Sequence, residues 1–155
     1  MKYIFIALVL VLAACTEKGK IADQMMEVPN AKWTYDQFAE FPVTINNSAI
    51  TYNCYLKLRV QKSYRYRNIY MLYHIRNPSG KVTRQTINFY LTDDLGRPTG
   101  RSVGNSVDYV LPIFTNKKMD GVGQFVIALE QNMRDSVVNG VESIGIKVNE
   151  GIPVF

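Results

Sequence analysis

Hydrophobic and polar residues alternate with a period of two along several short segments of the chain. In the clearest segment, residues 51–60, five apolar side chains fall on one face: Tyr52, Cys54, Leu56, Leu58 and Val60. Alternation of this kind is typical of a strand with one face in a core and the other toward solvent. The segment is therefore predicted to be a half-buried strand of a sheet.

Six further segments have the same character. Strands are predicted over residues 41–45, 69–75, 82–91, 107–113, 125–129 and 141–148. Turn residues separate them, above all at 77–80 (NPSG) and 93–96 (DDLG). Only residues 132–139 have the pattern of a helical turn, which Gly140 would end. Many short strands between turns predict an all-β fold: a single antiparallel β-sandwich, jelly-roll-like in type.

The start of the chain has the pattern of an export signal. Lys2 precedes an uncharged apolar run over residues 3–11. The run is too short for a membrane-spanning helix, which needs about 20 residues, but it fits a signal peptide. The following Leu12-Ala13-Ala14-Cys15 resembles the lipobox of bacterial lipoproteins. The resemblance implies cleavage before Cys15 and its attachment to membrane lipid through acyl chains such as palmitate; the alternative is a plain signal in which Cys15 is incidental.

These patterns divide the chain into three parts. Residues 1–14 are predicted to be a lipoprotein signal peptide, 15–32 a lipidated and mostly polar tether, and 33–155 the folded domain. Met25, Met26 and Val28 could dock part of the tether on the domain. Thr16 follows the cysteine where an aspartate would favour inner-membrane retention, so we expect a cell-envelope protein anchored in the outer membrane.

The charge is a mild basic excess, formally +5. It permits contact with anionic lipid headgroups or acidic glycans. No run of five or six like charges accompanies it, and an exported protein does not meet nucleic acid. Nucleic-acid binding is therefore not expected.

The residues that could carry catalysis do not form a recognisable site. Once Cys15 is acylated, Cys54 is the remaining cysteine; its place on an apolar strand face predicts an inert buried thiol. His74, the single histidine, is predicted on the opposite face from the core, so a Cys54/His74 dyad is not expected. Asp93 and Asp94 are interpreted as turn residues rather than a calcium site. We expect no enzyme, no metal site and no cofactor.

Alternating tyrosine and arginine over residues 64–67 suggest an interaction site. Tyr64, Tyr66 and Arg67 are candidate partner contacts, because tyrosine and arginine are frequent at binding surfaces. The alternative is the start of a strand whose tyrosines pack and whose arginines are solvated. Four further polar residues are assigned either to contacts or to a network that supports the fold: Arg59, Glu130, Gln131 and Arg134.

Three blocks of residues resemble one family. They are Leu58-Arg59 with Tyr64-x-Tyr66-x-Asn68-Ile69-Tyr70; Thr86-Ile87-Asn88-Phe89 with Leu91 and Asp94-x-Gly96; and Phe125-x-Ile127-x-Leu129-Glu130-Gln131-x-Met133-Arg134 with Ile144-Gly145-Ile146. Their order and spacing resemble the GldH family of gliding motility lipoproteins from about Trp33 to Val148. The chain departs from the family pattern at Gln85, Asn88 and Pro98.

The resemblance implies a structural or assembly factor of the gliding motility machinery, which is linked to type IX secretion. It implies cell-envelope protein partners and supplies no catalytic residues. A glycan- or ligand-binding sandwich is the alternative, and a hydrolase ranks last. Asp135-Ser136-Val137 also resembles a tripeptide acceptor for O-glycosylation, which makes Ser136 a candidate modification site; the alternative is a simple turn.

Overall fold

The computed structural model describes residues 19–151. Within them the chain forms eleven strands and one short 3-10 helix, Pro29–Ala31. The strands are β1 Lys20–Glu27, β2 Lys32–Thr34, β3 Ala39–Ile45, β4 Thr51–Gln61, β5 Asn68–Arg76, β6 Val82–Tyr90, β7 Arg101–Val103, β8 Ser106–Lys118, β9 Gly123–Gln131, β10 Val137–Asn139 and β11 Val141–Glu150. The seven predicted strands coincide with β3, β4, β5, β6, β8, β9 and β11, which confirms the all-β prediction.

The strands form two main antiparallel sheets. The five-stranded sheet has the order β1-β11-β4-β8-β7, the four-stranded sheet has the order β3-β9-β5-β6, and β2 pairs with β10 in a small ribbon. When the eight strands of seven or more residues are numbered along the chain, the two sheets have the orders 1-8-3-6 and 2-7-4-5. This is the jelly-roll arrangement of two Greek keys, as the sequence predicted.

The core lies between the two sheets and follows from the alternation in sequence. In β3 and β4 every second residue is buried. The largest fully buried side chains include Trp33, Tyr52 and Phe125. Burial of one such aromatic side chain stabilises the fold by roughly 1.5–3 kcal/mol. The apolar interior is therefore a main source of the stability of the sandwich.

The folded part begins earlier than the sequence suggested. Residues Lys20–Glu27, assigned to the tether, form β1 and pair with β11 in the register Gln24↔Ile146 and Met26↔Ile144. The domain therefore starts at Lys20 rather than near Trp33. Periodicity alone is weak in this segment because Asp23 and Gln24 interrupt the apolar residues, and its strand form depends on pairing with β11. Residues 1–18, with the predicted signal peptide and Cys15, lie outside the described residues.

The predicted helical turn at 132–139 is wrong. Residues 132–136 form a loop, and Val137–Asn139 form β10. Val138 pairs with Trp33, and both are fully buried. Burial of these two side chains outweighs the weak local preference for a helix, and Gly140, at φ 89°, ends β10 instead.

The sandwich has two ends that carry different loops. At the end named here the terminal pole, the backbone N–H of Glu150 donates to the carbonyl of Gly19 (2.8 Å) and that of Gly151 to Thr51 (2.7 Å). Loops 46–50, 77–81 and 119–122 lie at this pole. The opposite end, the loop pole, carries connections 28–38, 62–67, 91–105 and 132–140.

Candidate partner-binding site

Tyr64 anchors the loop between β4 and β5 at the loop pole. Its ring is partly buried against the core, and its hydroxyl donates to the carbonyl of Asn68 (3.1 Å). Burial raises the pKa of the Tyr64 phenol, since the charged form would lose its hydration. An edge-to-face contact at 5.5 Å joins its ring to that of Tyr66. Tyr64 thus supports the surface on which its neighbours are displayed.

Tyr66 links this loop to the loop after β9. Its hydroxyl donates to a carboxylate oxygen of Asp135, and this bond is the main cause of a raised Tyr66 pKa. The guanidinium of Arg65 lies 5.0 Å from the ring centre, within range of a cation–π contact. Two loops distant in sequence are therefore held side by side through one tyrosine.

Arg67 joins the same loop to the connection after β6. Its Nη2 donates to the carbonyl of Asp93 (2.7 Å) and its Nε to the hydroxyl of Thr92 (3.3 Å). Asp93 in turn accepts backbone hydrogen bonds from Leu95 and Arg97, both at 2.9 Å. These bonds, with the Arg97 side chain, lower the pKa of Asp93. Asp93 therefore acts as a turn residue, and Arg67 ties that turn to the loop pole.

An open groove of about 460 Å³ runs between the start of β5 and the loop after β9. We call it the tyrosine groove. Its lining is Tyr66, Asn68, Tyr70, Asn132, Met133, Arg134 and Asp135. Tyr70 is 43% exposed, so an aromatic surface is open to solvent. The backbone N–H of Asn132 donates to the carbonyl of Tyr70 (2.8 Å), which fixes the two walls together.

Buried Gln131 shapes the far wall of the groove. Its Nε2 donates to the carbonyls of Asp135 (3.1 Å) and Ser136 (3.4 Å), while its Oε1 accepts from the N–H of Met133 (2.8 Å). A buried amide that satisfies three backbone groups holds a loop in one conformation. The sequence singled out Gln131, but its part in shaping the groove follows only from the tertiary structure.

The groove offers a mixed chemistry suited to recognition. Tyr66 and Tyr70 supply aromatic surface, Met133 supplies a thioether that adapts to its contacts, and Arg134 and Asp135 supply opposite charges. Aromatic and arginine side chains in one groove are typical of protein contacts, and an aromatic face beside polar groups also fits a sugar ring. Tyr66 and Arg134 were sequence candidates, whereas Tyr70 and Met133 are added by the structure.

Cys54 and His74 do not form a catalytic pair. Cys54 is fully buried, and burial raises the pKa of its thiol to about 12, which suppresses the nucleophilic thiolate. His74 lies on the outer face of the four-stranded sheet, where its Nε2 is 2.8 Å from Oε1 of Glu130. The ring of Phe38 packs edge-on over it at 6.4 Å. The two side chains belong to different sheets: Cys54 points into the core from β4, and His74 points outward from β5.

The other polar residues singled out in the sequence lie on different surfaces and do not form one network. Arg59 makes two hydrogen bonds to Asp108 (2.6 and 2.9 Å) on the outer face of the five-stranded sheet. This partner lowers the pKa of Asp108. Glu130 pairs with His74 on the other sheet, while Arg134 lies at the tyrosine groove. Each residue therefore serves its own part of the surface.

Ser136 is exposed at the loop pole, where its carbonyl accepts a hydrogen bond from the N–H of Tyr35 (3.0 Å). Among residues 19–151, no group of three or more His, Cys, Asp and Glu side chains could hold a metal ion. The same part of the chain contains no helix long and apolar enough to cross a membrane.

A second cleft, of about 400 Å³, lies on the outer face of the five-stranded sheet. Met25, Lys57, Arg59 and Asp108 are among its lining residues. Gly145 leaves room at this face, because a side chain there would collide with the carbonyl of Gln24. A glycine inside an otherwise regular strand pattern is the sequence signal for this close approach of β1.

Fold and site together define an antiparallel jelly-roll sandwich with an open groove at one end, between the start of β5 and the loop after β9. The sequence model of the GldH lipoprotein family matches residues 20–148, and the chain belongs to this family. That result confirms the resemblance seen in the sequence. As a lipoprotein of this family, the protein is associated with the cell envelope.

Two similar proteins carry names that refer to gliding. One is the gliding motility lipoprotein GldH homolog of Christiangramia forsetii, 25% identical over 143 residues, which cover 92% of this chain and 86% of the relative. The other is gliding motility lipoprotein GldH of Flavobacterium johnsoniae, 21% identical over 150 residues and 91% of both chains. No solved structure matches this chain.

Proposed function

We propose that this protein is a non-catalytic structural or assembly component of a gliding motility or type IX secretion complex. In this proposal Cys15 anchors it in the outer membrane, and the tyrosine groove binds a cell-envelope protein partner. The observation that carries the proposal is the groove itself. The exposed ring of Tyr70 at the start of β5 lies beside charged side chains of the loop after β9, and Tyr66 and Gln131 hold that loop in place. The names of the two similar proteins supply the biological setting.

The arrangement of the groove favours binding over catalysis. Its open walls combine Tyr70, Met133 and Arg134, which are contact residues, with hydrogen bonds already committed to holding the loops. The buried thiol of Cys54 is 0% exposed and stays protonated, and His74 is engaged with Glu130 on another face. The chemistry of the loop pole is therefore that of recognition.

The test is affinity capture of the tagged, lipidated protein from detergent-solubilised envelopes of its native host, with mass spectrometry. We expect gliding or type IX secretion components to be recovered. The double variant Tyr66→Ala/Tyr70→Ala should lose them, while Tyr55→Ala, a tyrosine on the outer face of the five-stranded sheet, should keep them. A Cys15→Ala variant should also lose them, because in this proposal the anchor brings the protein to the complex. Equal recovery with all variants would exclude the groove as the binding surface.

A glycan-binding function is the second candidate. It is favoured by the exposed ring of Tyr70 next to Arg134 and Asp135, since sugar rings stack on aromatic faces and bond to flanking polar groups. Glycan-array binding that is lost in Tyr70→Ala and retained in Tyr55→Ala would support this function. Absence of array binding together with capture of an envelope protein would leave the assembly role.

We propose in addition that Ser136 is O-glycosylated after export. Its exposure at the loop pole beside Asp135 supports access by a modifying enzyme. Intact-mass measurement of protein from the host, compared with Ser136→Ala, would show a sugar mass in the first and none in the second. A mass that contains only polypeptide and lipid in both would remove the proposal.

A further inference from the structure

The start of the sheet sets a short distance between the domain and the lipid anchor. Lys20, the first residue of β1, follows Cys15 by only five residues. A fully extended link of that length spans at most about 18 Å. By comparison, β4 with its eleven residues spans about 36 Å along the sandwich. If Cys15 carries lipid, the terminal pole is therefore held closer to the bilayer than the length of the domain.

Basic side chains gather at this pole. They are Lys20, Lys81, Lys117 and Lys118, and the acidic residues described there are Asp120 and Glu150. Cross-strand pairing brings Lys117 and Lys118 to the start of β4, and Lys81 joins them around a cleft of about 150 Å³. Lys81 and Asp120 are 4.0 Å apart with side chains 68% and 80% exposed, so this ion pair is weak.

The outer face of the five-stranded sheet differs from the pole, because its basic side chains have carboxylate partners. On the five-stranded sheet Lys57 pairs with Asp23, and Arg59 pairs with Asp108. These basic groups are already matched at short range by carboxylates. At the terminal pole, by contrast, four lysines face two described acidic residues.

An apolar tip lies beside the lysines. Val122, in the loop between β8 and β9, is 55% exposed. An exposed apolar residue flanked by lysines suits a bilayer interface, where apolar groups enter the boundary and ammonium groups meet the headgroups.

We propose that the terminal pole is a lipid-facing surface. Its lysines contact anionic phospholipid headgroups, Val122 meets the interface, and the tyrosine groove at the opposite pole points away from the bilayer. The proposal rests on the anchoring through Cys15 proposed above and goes beyond it by fixing the orientation of the domain. The attraction between the lysines and anionic headgroups extends over about one Debye length, near 8 Å at physiological salt. The short link between Cys15 and Lys20 lets the pole come that close to the bilayer.

The test places a spin label at each pole of the lipidated protein in vesicles of phosphatidylcholine and phosphatidylglycerol that contain a nickel-chelating lipid. Ser48→Cys labels the terminal pole and Ser63→Cys the loop pole, both at exposed serines. Cys54 is fully buried and will not take up the label. Intact mass confirms lipid on Cys15 before the measurement. We expect several-fold stronger nickel relaxation at position 48 than at 63.

Charge reversal separates the surface from the anchor. In Lys117→Glu/Lys118→Glu the difference between the two labels should shrink several-fold, and added salt should act in the same direction. The matched control Lys32→Glu/Lys62→Glu, at exposed lysines of the loop pole, should preserve it. Equal relaxation at both labels, or a difference unchanged by the first pair, would overturn the lipid-facing surface. Partner capture through the groove would be unaffected by that result.

Discussion

At the scale of single residues, the strand face on which a side chain lies decides whether it packs in the core or pairs at the surface. Cys54 and Leu56 point into the core from β4, whereas Arg59 on the same strand points outward to Asp108. Alternation in the sequence predicted these faces. It could not predict that Arg59 and Asp108, far apart in sequence, would become neighbours, because that pairing depends on the register of β4 and β8.

The buried thiol of Cys54 makes stability sensitive to alkaline pH. Its pKa is raised from 9.0 to about 12 in the folded protein, so the folded state favours the protonated thiol. This stabilising contribution is complete below about pH 9 and is lost as the pH rises toward 12, because the unfolded thiol ionises first. Urea unfolding at increasing pH should show a shallower decline for Cys54→Ala than for the parent. Parallel declines would mean that the thiol does not contribute.

Replacement of Gln131 should loosen the loop that lines the groove while the sandwich stays folded. Gln131→Met keeps the side-chain volume but leaves the N–H of Met133 and two carbonyls without their partner, at a cost of about 1–3 kcal/mol. We expect faster amide hydrogen exchange in residues 132–136. Gln124→Met, at an exposed glutamine of the same strand, is the control. Unchanged exchange in the loop would show that other contacts fix it.

At the scale of elements, β1 shows how pairing creates a strand from an indistinct sequence. Its outward residues are polar or exposed. Its inward side chains are Ala22, Gln24 and Met26, which together present little apolar surface to the core. The partner strand β11 presents much more, through the buried side chains Ile144, Ile146 and Val148. β11 therefore supplies the template, and the position of Gly145 sets how closely β1 can approach.

Gly145→Ala should dislodge β1. A Cβ at this position would collide with the carbonyl of Gln24 and lie 2.6 Å from Sδ of Met25, so the two strands must separate. We expect a loss of stability of roughly 2–4 kcal/mol and faster hydrogen exchange along β1. Gly121→Ala is the control. A Cβ at this position meets open space, so the cost of the substitution is limited to positive-φ strain of about 1–3 kcal/mol. Full protection of β1 in Gly145→Ala would contradict the prediction.

At the scale of the whole molecule, the jelly roll joins segments from opposite parts of the chain. β1 pairs with β11, and β3 pairs with β9. This topology brings both described ends to the terminal pole and gathers the long connections at the loop pole. The separation of anchor and groove proposed here follows from that arrangement, since neither pole is continuous in sequence.

Such long-range pairing should make folding slow. All-β sandwiches fold in roughly milliseconds to seconds, because distant segments must meet before their contacts stabilise them. Trp33 is the single tryptophan and is fully buried, so its fluorescence reports the core directly. Stopped-flow refolding from urea should fall in this range. A phase completed in microseconds with full recovery of the native signal would contradict it.

The sequence by itself determined the local properties of this protein. Period-two alternation and turn residues were enough for the all-β class, for seven strands and for the buried state of Cys54, because burial on one face imposes that pattern. The residue blocks were enough for the GldH resemblance, which the family match over residues 20–148 confirms. The lipobox at Cys15 remains a prediction, outside the described residues.

The tertiary structure alone decided what depends on distant partners. β1 and β10 exist because β11 and β2 pair with them, against weak or misleading local patterns. The tyrosine groove exists because Tyr66 donates a hydrogen bond to Asp135, sixty-nine positions away in sequence, and because Gln131 holds the loop 132–136 in place. Local preferences are short-range, whereas strand register, loop packing and the grouping of loops at each pole depend on the energy of the assembled sandwich.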